Sequence, residues 1–270
     1  MNDGFTYKVI GLAMEVHREL GPGLDEKFYH DLLSRKLTAA SLAHLSRPRR
    51  ELMHRGVVAD AFEPDIVLPE KLVLELKCLT GGFDGEHFLQ LICYLKFWKI
   101  GVGLLFDFGK ESLAYRRIEF SEPQVEPSDP DSMLAGGPDS ASIRDLAAQV
   151  CTATNRVLAE HGLGYRDTSY GGLLLAELRA SGMNCAPNVL AEVRSGEIVL
   201  GQTPCPCLLV NEVLAVRVLA LRRSITAADL AILRTYLRLL NAPAGLILNF
   251  NRTTLDHCWV GTNIAKHESL

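Results

Sequence analysis

The chain contains itself twice. Pro64-Asp65 and the segment Leu72–Lys77 (LVLELK) recur 142 positions later as Pro206-Cys207 and Leu214–Leu219 (LAVRVL). Between residues 64 and 108 the match to the later copy needs no gap, and it keeps Tyr94 as Tyr236, Gly103 as Gly245 and Phe108 as Phe250. Upstream the offset is 141, where Glu19–Gly23 reappears as Glu160–Gly164 and Tyr29 as Tyr170. A repeat this long means two similar bodies, each with its own core, and 270 residues suffice for two domains of ordinary size. Residues 121–142 (SEPQVEPSDPDSMLAGGPDSAS) carry five acids and no base, and are rich in Pro, Ser and Gly. They are expected to be a flexible linker between a domain over 1–120 and a second over 143–270.

Periodicity gives each half an α/β character. Val9, Ile10, Leu12, Ala13, Val16 and Leu20 form a helical stripe that Gly21-Pro22-Gly23 ends. A second helix is expected over about 26–37. Extended segments follow near 51–54 and 57–62, with a hairpin turn at His54-Arg55-Gly56. Strands are expected over 65–68 and 72–78, then a helix over 85–98, a strand over 101–108 and another near 113–118. The expectation is a sheet sandwiched by helices in each half.

Bulk chemistry excludes several classes. An apolar fraction of 48% with 22% charged residues is that of a soluble globular chain, and a net charge of −4 offers no global basic field for nucleic acid. No apolar run reaches the length of a membrane span, and the first residues lack a leader pattern, so a cytoplasmic protein without membrane contact is expected. Seven cysteines at irregular spacing, with no pair of CxxC motifs, argue against a thiolate zinc site. Cys205-Pro206-Cys207 is a weak candidate redox or metal pair; buried, reduced thiols are the plainer reading.

The two copies differ in their charges. Asp65 becomes Cys207, Glu75 becomes Arg217 and Lys77 becomes Leu219, while the apolar positions around them stay apolar. Residues two apart on a strand share a face, so Glu75 and Lys77 project together, and one tight turn can bring Asp65 beside Glu75. Two neighbouring carboxylates repel unless a cation joins them, and such oxygen donors suit Mg²⁺ or Mn²⁺. Lys77 would then orient or deprotonate a water and offset phosphoryl charge. An exposed charge pair on an outward sheet face is the competing reading. It is disfavoured because the strand is otherwise apolar and a helix follows to cover it. On that helix His87, Gln90 and Tyr94 fall at i, i+3 and i+7, and are candidates to contact water or phosphate. Tyr94 survives in the second copy and Gln90 becomes Ile232, which favours a structural tyrosine and a functional glutamine. Arg49 and Arg50, with Arg47 and Arg55, form a local basic cluster that would contact a nucleic-acid backbone; a solvated loop is the alternative.

These segments resemble the GxxExxY proteins of the PD-(D/E)XK nuclease superfamily. The naming motif stands as Gly23-Leu24-Asp25-Glu26-Lys27-Phe28-Tyr29, preceded by Glu15–Pro22 (EVHRELGP) and followed by Asp65, Glu75-Leu76-Lys77 and His87-Phe88-Leu89-Gln90-Leu91. The resemblance covers roughly residues 5–120. It implies two tandem restriction-endonuclease-like α/β domains, each a central mixed sheet flanked by helices. It further implies Asp65 and Glu75 as metal ligands, Lys77 as catalytic, Glu26 as a third acid and Mg²⁺ or Mn²⁺ as cofactor. The stretch 37–50 departs from the family, and the second half has lost the metal-binding residues. The expected function is metal-dependent hydrolysis of phosphodiesters, of DNA in the first instance, by the first copy. The second copy would be an inactive scaffold or a surface for nucleic acid or a protein partner. The rival is a non-enzymatic binding module built on a nuclease fold.

Overall fold

The structure is a computed structural model and describes residues 3–125, 129–250 and 254–261. Its contacts divide the chain into two compact units. Unit 1 comprises Met1–Leu52 and Ala61–Glu122; unit 2 comprises Met53–Asp60 and Pro123–Leu270.

In the first half of the chain, helices α1 (Asp3–Leu20) and α2 (Glu26–Ala39) precede strands β1 (Leu45–Ser46), β2 (Arg50–His54), β3 (Val57–Phe62), β4 (Ile66–Leu68) and β5 (Leu72–Lys77). Then come α3 (Gly85–Trp98), β6 (Val102–Asp107) and β7 (Ala114–Glu119). The sheet order is β1-β4-β5-β6-β7, and β5–β6 is its parallel pair. The sheet is therefore mixed, as expected. Leu72, Leu74 and Leu76 point from β5 into a core shared with Val9, Ala13 and Val16 of α1 and Tyr29, Leu33 and Leu37 of α2. Each such leucine contributes about 2 kcal/mol by leaving water. Strand alternation puts Val73, Glu75 and Lys77 on the opposite face. There α3 closes on the sheet at Gly103, where a Cβ would stand 2.8 Å from Leu91 Cδ1. Gly245 meets Leu233 of the second copy in the same way, at 2.9 Å, so helix approach explains why both copies keep glycine.

The hairpin β2–β3 turns at Arg55-Gly56, both with positive φ (48° and 77°), the backbone of a two-residue turn that suits the strand twist. Its tip belongs to unit 2.

Unit 2 adds α4 (Pro130–Met133), α5 (Ala141–His161), α6 (Asp167–Ala180), β8 (Cys185–Ser195), β9 (Ile198–Val210) and β10 (Leu214–Leu219). It ends with α7 (Ala227–Leu240), β11 (Ala244–Phe250) and β12 (Leu255–Gly261). Sheet order β12-β11-β10-β9-β8, with β10–β11 parallel, repeats the mixed pattern. The segment 121–142, read from sequence as a linker, contains α4, with Met133 fully buried and its carbonyl accepting the Trp259 indole N–H at 2.7 Å. Residues 126–128 of that segment lie outside the described residues. Among the described residues no helix is long and apolar enough to cross a membrane.

Candidate active site

In unit 1 the turn between β4 and β5 sets Asp65 against β5. Its Oδ2 accepts the Leu76 N–H at 2.8 Å, which fixes the carboxyl beside Glu75. Glu75 is 3% exposed, with Oε1 accepting from Lys77 Nζ at 2.7 Å and Oε2 buried with no hydrogen-bond partner among the described residues. Glu26, the first residue of α2, completes the group. Its carboxyl feels the charges of Asp65, Lys77 and Arg47.

Three carboxyls thus share one ammonium. Burial, then Asp65, pushes the Glu75 carboxyl up to about 8. Burial also raises Asp65, against the pull of the Leu76 N–H and Lys77. Glu26 is raised by burial and then by Asp65. Burial works against the Lys77 ammonium, yet Glu75, Glu26 and Asp65 together hold the lysine above its ordinary value. Without a cation the site is short of positive charge and keeps a proton on its acids. Lys77 therefore holds its proton beside these acids.

The helix residues separate into different tasks. His87 Nδ1 accepts the Asp84 N–H at 3.1 Å while Asp84 Oδ1 accepts the Glu86 and His87 N–H groups, a capping box that starts α3. Gln90 Nε2 donates to Tyr94 Oη at 2.9 Å, and Tyr94 Oη donates to the Glu63 carbonyl at 3.3 Å. This chain braces the backbone leading into Pro64-Asp65. Arg49 and Arg50 are exposed, with the Arg50 guanidinium 5.9 Å from the Trp98 ring. Two further residues stand near the site: His30, and Arg47, which the sequence offers only as a member of the basic cluster. His30 Nε2 lies 3.2 Å from the Asp65 carbonyl, and the Arg47 N–H donates to that same oxygen at 2.8 Å. The signal for His30 was its position one helical turn beyond Glu26.

A family model matches both halves of the chain. The PD-(D/E)XK nuclease superfamily matches residues 3–118 and, again, residues 144–259. The chain belongs to this superfamily. No curated protein and no solved structure matches it. Membership carries nuclease activity as the family's general chemistry, and both matched segments have its mixed sheet flanked by helices.

The second PD-(D/E)XK segment keeps the frame and changes the contents. Cys207, at the Asp65 position, is 5% exposed, and burial pushes its thiol up to about 12, so it is an inert apolar filler. Arg217, at the Glu75 position, reaches Asp229 Oδ1 at 3.5 Å and the Asp229 carbonyl at 3.4 Å. Asp229 occupies the position of His87 and, with Thr226, caps α7. Hydrogen bonds from Arg223 foremost, against burial, hold the Asp229 carboxyl well below the usual range. Arg217 thus answers a fixed anion at a helix start. The space beside Asp167, Pro206, Cys207 and Val218 is a cavity of about 290 Å³ with mostly apolar walls.

Proposed function

We propose that the protein is a divalent-metal-dependent nuclease of the GxxExxY kind, acting on DNA through its first copy, with the second copy a catalytically silent scaffold. The observation that carries this reading is the buried Glu75 Oε2, which has no partner in a pocket of three acids and one ammonium. A buried carboxylate oxygen without a donor is costly, and a cation is the natural way to satisfy it. The donor set is all oxygen, so Mg²⁺ or Mn²⁺ fits, held by Asp65 and Glu75 with Glu26 in support. When bound, the cation supplies positive charge to the phosphoryl oxygens and makes a water more acidic. Lys77 adds a fixed positive charge for the developing negative charge and orients the attacking water. Gln90 and Tyr94 keep the Asp65 turn in place. Arg47, Arg49 and Arg50 offer charge to the substrate backbone.

The test is a panel of single- and double-stranded DNA and RNA, each with Mg²⁺ or Mn²⁺, using Asp65→Ala as control. DNA cleavage that needs the metal and falls about 10²- to 10³-fold in Asp65→Ala is the expected result. An Asp65→Ala protein that cuts as fast as the parent, or a parent that binds DNA without cutting any substrate, leaves the binding-module reading instead.

The silent second copy has its own test. Arg217→Met removes the residue at the Glu75 position, and cleavage is expected to stay within about twofold, as for changes away from a reacting centre. A tenfold loss at unchanged stability would place the second copy in the reaction.

A further inference from the structure

Unit 2 holds a second cluster of metal-ligating side chains, outside the acidic site and assigned no role by it. His54 closes β2 at the hairpin tip, and Glu160 and His161 end α5; all three belong to unit 2. The His54 side chain is fully buried, His161 is nearly so, and Glu160 is half exposed. His161 Nε2 lies 3.0 Å from His54 Nδ1, His54 Nδ1 lies 3.4 Å from Glu160 Oε1, and His161 Nε2 lies 3.7 Å from Glu160 Oε1. Three ligand atoms thus form one small triangle.

Those edges have a metric meaning. Ligands about 2.0–2.1 Å from a tetrahedral ion stand about 3.3–3.4 Å apart, the middle of the range seen here. The surroundings fit as well. The other ring nitrogen of His54, Nε2, lies 2.9 Å from Glu177 Oε2. Glu177 also accepts from Arg55 Nε and from Arg156 Nη1, so it is an acceptor and His54 Nε2 is the donor. A carboxylate fixing the far nitrogen of an imidazole leaves the near nitrogen with its lone pair outward, the arrangement that supports metal-bound histidines. The tip is held firmly besides. Asp60 accepts from Arg166 Nη2 at 3.0 Å and from Ser169 Oγ at 2.5 Å. Gly172 of α6 comes so close to the tip that a Cβ there would stand 2.1 Å from the Ala59 carbonyl. The cluster is therefore built on packed elements and not on loose side chains.

We propose that His54, Glu160 and His161 bind one zinc-class divalent ion, with water in a fourth position on the exposed Glu160 side, which clasps the hairpin tip to α5. Two imidazoles and one carboxylate select zinc over magnesium, which prefers an all-oxygen shell. The cysteine spacing argued against a thiolate site only. A His₂Glu set drawn from residues 106 positions apart is invisible to any local spacing rule.

The experiment uses the full chain carrying Asp65→Asn and Glu75→Gln, so that the acidic site takes no metal, stripped with chelator and dialysed. Titration with Zn²⁺ by calorimetry is expected to show one equivalent with Kd about 1 µM or tighter, unaffected by millimolar Mg²⁺. Cobalt(II) in place of zinc is expected to give the visible absorption of a low-coordinate site. Glu160→Gln and His161→Gln, added singly, are expected to weaken binding about 10- to 100-fold or more with unchanged circular dichroism. Zinc binding weaker than about 100 µM, or binding that both variants retain at full strength, overturns the site and leaves a hydrogen-bonded histidine pair. Should the variants misfold, the zinc stoichiometry and cobalt spectrum of the otherwise unaltered background still decide. The result is independent of whether the acidic site cuts nucleic acid.

Discussion

Glu75→Gln protein is expected to cleave nucleic acid about 10³-fold more slowly than the parent and, stripped of metal, to be more stable than the parent at pH 8.5. The two effects come from one oxygen set. Glu75 is buried beside Asp65, and its carboxyl titrates near 8 in the folded protein against an ordinary 4.5. Between those values the folded protein keeps a proton that the unfolded chain releases, so folding stability falls as pH rises across the window. Below about pH 4.5 the group is neutral in both states and costs nothing; above about pH 8 the whole cost is present. Gln cannot ionise and escapes it. At about 1.4 kcal/mol per pH unit across that window, the variant's gain at pH 8.5 is on the order of 5 kcal/mol. Asp65 and Glu26 are raised chiefly by burial, which the variant leaves in place. Thermal unfolding in chelator at pH 5 and pH 8.5, beside single-turnover cleavage, reads both effects. Equal stability at the two pH values, or undiminished cleavage, would refute the strained acidic site. In the parent, divalent binding must displace the retained proton, so affinity is expected to climb with pH and level off above about 8.

The sequence was most legible where one residue decides a local event. The α3 boundaries at Gly85 and Trp98 match expectation, because Asp84 caps the start and Lys99 takes the left-handed conformation (φ 54°) that stops the helix. Asn241 does the same for α7 at φ 52°. Alternation in Leu72–Lys77 correctly sent the leucines inward and put Glu75 and Lys77 on the other face. Legibility failed where the event is tertiary. Arg47 (φ 45°) and its counterpart Asn188 (φ 49°) share an unusual backbone. In the second copy that twist is absorbed as a bulge within the long strand β8; in the first the strand breaks into β1 and β2. Both copies carry the same turn, and Pro48, which lacks an N–H, follows it where the second copy has Val189; the pairings that then form are tertiary. The break delivers the Arg47 N–H to the Asp65 carbonyl and leaves β4 only three residues long. Arg47 is legible near the acidic site only once that path is known, whereas His30 follows Glu26 by one helical turn. The basic cluster read as one group also divides. Arg55 pairs with Glu160 and Glu177 in unit 2, while Arg47 faces the acids of unit 1.

The second large effect concerns the tyrosine of the GxxExxY segment, and there the degenerate copy serves as a control. Tyr29 is fully buried, its ring stacked on Phe108 with centroids 4.6 Å apart. Its hydroxyl donates to the Gly21 carbonyl at 2.7 Å and accepts the Leu24 N–H at 3.1 Å, so one side chain closes the turn between α1 and α2. Tyr170 repeats each contact, stacking on Phe250 at 4.0 Å, donating to the Gly162 carbonyl at 2.8 Å and accepting from the Tyr165 N–H at 3.3 Å. A residue whose full set of contacts persists where Asp65, Glu75 and Lys77 are lost serves the fold; its motif partner Glu26 stays acidic as Asp167. Tyr29→Ala is accordingly expected to cost about 3–5 kcal/mol, from the lost ring and the cavity it leaves. Tyr29→Phe keeps the ring and removes the partner of one part-buried carbonyl and one part-buried N–H, at about 1 kcal/mol. Below its melting temperature the Phe variant should cut nucleic acid within about twofold of the parent, because no reacting atom touches the hydroxyl. Tyr170→Phe should show a similar stability loss and the same indifference in cleavage. Chemical denaturation of both Phe variants beside their cleavage rates makes the comparison. A Tyr29→Phe protein of parental stability that cuts tenfold more slowly would move this tyrosine from the scaffold into the reaction, and Tyr170 would then be the copy that had lost its task.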